Sequence, residues 1–485
     1  MALRPLDLAV VLGYLASITW FGSSFGKRQR TLSDYFLGGR ELPWWALSLS
    51  VVSAETSILT IVSTPGISYR SNFSFLQLIL GYLVGRVVVA FVLIPRYFSG
   101  ELFTAYQFVE RRFGRAVKLF TAALFLATRA LAEGVRVFAI AIVVQVAFPS
   151  GALAAVAIIV ALTLFYTFQG GLAAVIWTDV IQLSIYLSGT AVALFVALHG
   201  IQGGWPQVRE IAQLAGGKFH LFDFHFNLHD PYLFWSGLVG GAFLTSASHG
   251  TDQLIVQRLL AARNKRQSQA ALLSSGVVIL GQFALFLTVG VVLFAYYRQS
   301  PPALPFTRAD QVFPAFVVNG LPSGLAGLLM AAILAAGMAN LSAALNSLAS
   351  SSVVDFYKPL FKPDDDERHS LKLSRYFTVA WGVVLIAIAL AAAQLHQSVL
   401  ELALTIASVP YGSMLGIFLL GALTQRTTPG GALTGAVVGL ASLVVVILFT
   451  TIAWTWYVPI GTSVTFAIGW AAGLFSSRKM RSEAG

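Results

Sequence analysis

Ser53-Ala54-Glu55-Thr56-Ser57 sits inside an otherwise apolar stretch of membrane-spanning length, residues 43–69. Hydroxyls and a carboxylate at bilayer depth are costly, and such groups face a cavity or a partner. The same stretch carries Thr64-Pro65-Gly66, a helix breaker, and an interrupted helix frees carbonyls that can meet an ion. A broken helix with a polar middle points to a transport site. A second constellation is Arg129, Glu133 and Arg136, where spacings of four and three put the carboxylate beside both guanidiniums on one helical face. Two readings stay open: a self-neutralised structural triad, or an Arg136 with spare donors that binds a solute carboxylate bidentately or locks an outer gate.

Other chemistry is thinly represented. Cysteine is absent and the seven histidines include no HExxH pattern, so disulfides, thiol catalysis and thiolate metal sites are excluded and nothing points to an enzyme. The acidic run Asp364-Asp365-Asp366-Glu367 lacks the glycine and spacing of a calcium loop and reads as a solvated loop.

The elements that must position these residues are membrane helices. The chain is 57% hydrophobic and 11% charged, with 36 Phe in 485 residues and a mean hydropathy of +0.78, far from a soluble domain. About thirteen segments are long enough to cross a ~30 Å hydrocarbon core. They cover residues 5–24, 43–69, 74–98, 118–147, 152–168, 172–199, 232–257, 270–297, 321–354, 373–394, 398–424, 430–452 and 455–476. The net charge of +11 is carried in short basic clusters between spans, such as Lys27, Arg28 and Arg30, or Arg258, Arg263, Lys265 and Arg266. All clusters fall on one side, which is the positive-inside pattern rather than a nucleic-acid surface. The expectation is a multi-pass protein of the plasma or inner membrane, N-terminus outside, C-terminus cytoplasmic, its first span an uncleaved helix.

Several motifs in order resemble one family. They are Asp34-Tyr35-Phe36-Leu37-Gly38-Gly39-Arg40, the Ser53 to Gly66 segment, Gly100-Glu101-Leu102 with Thr104, and the run from Tyr166 through Gly170-Gly171 to Trp177-Thr178-Asp179. They continue with His249-Gly250-Thr251-Asp252-Gln253 leading to Gln257-Arg258, Leu345-Asn346-Ser347 leading to Asp355-Phe356-Tyr357, and Tyr411-Gly412 before Leu415 to Gly421. Over nearly its whole length the chain resembles the sodium/solute symporters, which include sugar, proline, sialic acid, glucose and iodide carriers.

The resemblance implies an all-α LeuT-type fold, one domain over 1–485, in which two inverted five-helix repeats, 43–199 and 232–424, enclose a midplane site. Residues 5–24 and 430–476 would be peripheral, and the second and seventh spans broken. Gly237 with Gly240-Gly241, followed by the polar run Thr245 to His249, is the expected weak point of the seventh, although small residues also serve close packing. The polar run itself is expected to line the cavity.

Sodium, the ion the family implies, would take carbonyls at positions matching Ser53, Thr56 and Ala336. The family's two hydroxyl residues match Ala339 and Asn340 here, a departure that leaves only a carbonyl and an amide oxygen. Asp179 matches an aspartate that joins a second sodium site in some members. It either holds sodium together with Asn340, carries a proton in a carrier that does not need sodium, or only hydrogen-bonds backbone at the inner mouth. The sugar carriers' pattern of acid and amide, asparagine and tyrosine, then lysine is replaced by Gln77, Thr245 with Ser248, and Gln282. With Glu55, Ser57, Arg136, Thr405 and Ser408 these would contact a small polar organic solute: sugar, polyol, amino acid or carboxylate. The function expected is sodium-coupled uptake of that solute by alternating access, one ion per cycle, with a monomer sufficient. A proton-coupled or uncoupled carrier, or a symporter-like sensor, is the alternative.

Overall fold

The computed structural model describes residues 4–25, 31–100, 102–147, 152–302, 306, 309–361, 366–392 and 399–483. Lys27, Arg28, Arg30, Glu101, Lys362, Asp364 and Asp365 lie outside these residues, as do the side chains of Tyr166, Thr405, Arg478, Lys479 and Arg481. Among the described residues every regular element is helical. In chain order the elements that matter here are α1 (Pro5–Ser23), α2 (Trp44–Glu55), α3 (Ile58–Arg70), α4 (Leu76–Tyr97), α5 (Arg115–Ala147), α6 (Ala152–His199), α7 (Phe234–Gly250) and α8 (Gln253–Leu260). They continue with α9 (Lys265–Gln299), α10 (Leu325–Ser351), α11 (Glu367–Ala392), α12 (Val399–Leu423), α13 (Pro429–Phe449) and α14 (Tyr457–Glu483). Seven helices among the described residues are long and apolar enough to cross a membrane, and α2 with α3 forms an eighth, bent by 67°. The stretch Leu325–Phe361, which contains α10 and has an 18-residue apolar window that is 94% buried, forms the central post.

The bend between α2 and α3 comes from the polar cluster. Thr56 is extended, with φ −79° and ψ 109°, and Ser57 caps α3 by accepting a hydrogen bond from the Thr60 amide at 3.3 Å. A serine whose hydroxyl satisfies an orphan N–H is a strong helix start, so the chain restarts there. The expected breaker Thr64-Pro65-Gly66 does not break: α3 runs through it. Pro65 is accommodated because Gly290 of α9 leaves room for its carbonyl, which would come within 2.0 Å of a Cβ at that glycine, and neighbouring helices compensate a membrane proline.

The second break is also displaced from its expected place. α7 continues through Gly237, Gly240 and Gly241, and the chain leaves helix at Thr251 and Asp252. The glycines are a packing seam: a Cβ at Gly241 would come within 2.3 Å of the Leu78 carbonyl, and one at Gly81 within 2.5 Å of the Gly237 carbonyl. α7 and α4 therefore touch backbone to backbone, the usual role of small residues between membrane helices. At the break Asp252 is extended and caps α8, its Oδ1 accepting from the Leu254 amide at 2.9 Å. A third interruption falls where the sequence separates two spans, at Gly171 of α6, with φ +55°. A side chain there would be strained and would press on the Tyr35 carbonyl at 2.6 Å.

Candidate functional site

A cavity of about 160 Å³ opens beside the first break. The end of α2 and start of α3 contribute Glu55, Ser57 and Thr60; α5 contributes Arg129 and Arg136; α7 contributes Thr245, Ser248 and His249. Phe75, Tyr82 and Phe283 supply the apolar wall, Phe75 and Phe283 stacking at 5.5 Å. Five residues expected to contact solute, Glu55, Ser57, Arg136, Thr245 and Ser248, thus come together.

Three others do not line this cavity. Gln77 turns away: its Nε2 donates to the Tyr232 carbonyl at 2.9 Å and its Oε1 accepts from the Asp223 amide at 3.0 Å, pinning the 200–231 loop. Gln282 is buried and donates to Thr56 Oγ1 at 2.7 Å, bracing the first break from behind. Ser408 is buried in α12, where Ala407 and Tyr411 are the residues that face the cavity.

Three arginines face three carboxylates around this space. Arg86, 1% exposed and mid-way along α4, forms an ion pair with Glu55, whose side chain is 16% exposed toward the cavity. His249 approaches the same carboxylate at 3.5 Å through Nε2, while its Nδ1 lies 2.9 Å from Ser248 Oγ. Arg129, 7% exposed, pairs with Asp252 at the second break and donates to Tyr411 at 3.1 Å; the Tyr411 hydroxyl in turn donates to Asp252 at 2.5 Å. Glu133 bridges Arg129 at 3.8 Å and Arg136 at 3.1 Å, as the i, i+4 and i, i+3 spacings require. Arg136 also donates to Asn340 Oδ1 at 3.1 Å and remains 23% exposed.

The expected ion-site residues divide into two groups. Asn340 donates through Nδ2 to the carbonyl of Thr56 and to that of Ala336 at 3.4 Å. Its amide orientation is forced, because carbonyls only accept and a guanidinium only donates. Ser53 is buried one turn away in α2, and the Ala339 carbonyl accepts from Ser342 Oγ at 3.0 Å. Asp179 is held elsewhere: Oδ2 accepts from Ser50 at 2.5 Å and from Arg258 at 2.8 Å, and Arg258 Nε donates to Ser50 at 2.7 Å.

That triad is one of several buried polar clusters that do not line the cavity. Lys118 lies 3.7 Å from Asp355, which accepts from Thr104 at 2.6 Å, and Gln257 donates to the Phe36 carbonyl and to Asn346, each at 2.7 Å. All these groups are buried. Arg86, Asp252 and Arg258 carry much of the site's electrostatics; sequence reading gave Arg86 and Asp252 no role and counted Arg258 among the basic residues between spans, whereas it is buried and paired with Asp179. Arg86 had a legible signal, a charge in the middle of an apolar helix; Asp252 and Arg258 stand in a motif whose geometry only packing reveals.

The sequence and the architecture match known proteins. The model of the sodium:solute symporter family matches residues 35–439. The chain belongs to that family. Among relatives of this symporter, the sodium/sialic acid symporter of Aliivibrio fischeri is 29% identical over 99% of this chain and 95% of its own length. The human sodium/iodide cotransporter is 30% identical over 87% of this chain and 66% of its own. Human sodium-coupled monocarboxylate transporter 1 is 29% identical over 90% and 72% respectively. Among solved structures, a Na+-coupled sialic acid symporter in a substrate-bound, outward-open state superposes with a TM-score of 0.89 at 26% identity, covering 97% of this chain and 98% of that one. Mhp1, a nucleobase-cation-symport-1 transporter, shares the fold at a TM-score of 0.56 and 12% identity. The symporter is an integral, multi-pass membrane protein.

Proposed function

We propose that this symporter takes up a small organic solute bearing a carboxylate, coupled to sodium, by alternating access. The observation that carries the reading is Arg136. Arg86 and Arg129 are buried and spent on Glu55 and Asp252, whereas Arg136 keeps part of its guanidinium in the cavity beside Ser57 and Ser248. A guanidinium with donors left in a cavity walled largely by apolar side chains suits bidentate capture of a carboxylate. Sialic acid and monocarboxylates, named for two of the relatives, carry that group.

Charge balance supports coupling to one cation. Arg86, Arg129 and Arg136 offset Glu55, Glu133 and Asp252, so an entering carboxylate brings one unbalanced negative charge into low dielectric. One sodium ion offsets it. The proposed ligands are carbonyls of Ser53, Thr56 and Ala336 with the amide oxygen of Asn340. Asp179, held by Arg258 and Ser50, belongs instead to the seal on the far side of the cavity.

The finer topology is part of the same proposal: thirteen spans, inverted repeats over 43–199 and 232–424, N-terminus outside, basic clusters inside. The cavity then opens outward past Trp454, while the Arg129–Asp252–Tyr411 and Arg258–Asp179–Ser50 groups close it inward. Proteoliposomes assayed with labelled sialic acid and with short monocarboxylates, in sodium or choline at fixed pH, should show uptake only in sodium. Equal uptake in choline, with a response to a proton gradient, would overturn the reading.

A further inference from the structure

Asn340 stands at the junction of the two proposed ligand sites. Its amide nitrogen fills the point on which the Thr56 and Ala336 carbonyls converge, and its amide oxygen accepts from Arg136 Nη1. Carbonyls from two helices aimed at one point are the beginning of a cation cage, and a neutral NH2 group fills it. The side chain is 1% exposed, so neither end is exchanging with bulk water. A cation at that point would need oxygen ligands, so the amide would have to turn over and present Oδ1. That half-turn is about a terminal sp3–sp2 torsion, broad and roughly two-fold, and it exchanges groups of nearly equal size. It would also bring Nδ2 against Arg136, and two donors cannot bond to each other. One N–H of Arg136 Nη1 would then be free for the cavity, while Nη1 keeps its bond to Glu133 at 3.1 Å.

Resting on the sodium and carboxylate reading above, we propose that Asn340 is the positioning residue that couples the two ligands: one amide turn opens the carbonyl pair to sodium and releases Arg136 to the solute carboxylate. Either ligand favours the same turn, so each tightens the other by the same factor.

The test uses purified full-length protein, sodium chloride titrated against choline chloride at constant ionic strength, and thermal shift as the readout. Sialic acid and a short monocarboxylate serve as probes. In the native protein the probe that binds lowers the sodium midpoint about five-fold or more. Its uncharged amide analogue leaves the midpoint in place. In Asn340→Ala both sites are open from the start, and the ratio of midpoints with and without probe falls to about one. Asn340→Asp keeps an oxygen for sodium but pairs permanently with Arg136, so sodium tightens while the carboxylate weakens. A native-like ratio in Asn340→Ala, or an equal shift by the uncharged analogue, overturns the coupling role. If Asn340→Ala does not fold, Asn340→Asp decides: sodium and carboxylate affinities that move in the same direction overturn the coupling role. No sodium response with any probe sinks the sodium and carboxylate reading itself, and this inference with it.

Discussion

The two broken helices solve the same problem differently. At Thr56 and Ser57 the freed backbone is held by neutral groups: the Asn340 amide on the Thr56 carbonyl, and Ser57 Oγ on the Thr60 amide. At Thr251 and Asp252 the break is clamped by charge, Asp252 gripping Arg129 and Tyr411 while capping α8. Neutral hydrogen bonds contribute roughly 0.5–1.5 kcal/mol each and exchange readily with a ligand, whereas a buried ion pair stripped of one partner costs about 3–5 kcal/mol. The first break is built for exchange and the second for closure, and both border one cavity.

Substitutions that break this contrast should follow that order. Asp252→Ala leaves Arg129 with the more distant Glu133 as its carboxylate and with the neutral Tyr411 hydroxyl, and should cost roughly 3–5 kcal/mol of stability in detergent denaturation; an unchanged melting curve would mean that the second break is not clamped. Arg136→Gln removes a charged donor at the cavity wall, so the transported carboxylate should bind weaker by about 1.5–3 kcal/mol, ten-fold to over a hundred-fold, with the fold retained. Loss of folded protein in that variant, restored by Glu133→Gln, would make the α5 triad structural; the pair of substitutions read as a cycle decides.

Smaller effects sharpen the contrast. Tyr411→Phe keeps the Arg129–Asp252 pair but deletes the hydroxyl donor to its carboxylate, with an expected loss of about 1.5 kcal/mol in stability. Gln77→Leu should release the 200–231 loop at a cost of about 1 kcal/mol while leaving solute affinity unchanged. A large affinity loss in Gln77→Leu would return that amide to the solute site.

Much of this was legible before any coordinates. Hydropathy locates membrane helices because the bilayer imposes length and apolarity. The polar cluster at 53–57 marks a broken helix, and the spacing of Arg129, Glu133 and Arg136 gives their mutual contacts, since helical periodicity is local. Reading Pro65 and the Gly240-Gly241 pair as breakers failed for one reason: proline and glycine end helices only where neighbours do not compensate. α9 does so at Pro65, and α4 fills the space at Gly241.

What the sequence by itself determined is a many-spanned helical membrane protein with a polar interruption in its second span and an arginine–glutamate–arginine face on α5. These follow from solvent partitioning and from the 3.6-residue turn. Only the tertiary structure decided which partner each buried charge takes: Glu55 with Arg86, Asp252 with Arg129, Asp179 with Arg258. These partners lie 31, 123 and 79 residues apart. A desolvated charge binds whatever opposite charge the packing of α2, α4, α5, α6 and α8 brings within reach, and no local pattern in the chain encodes that distance.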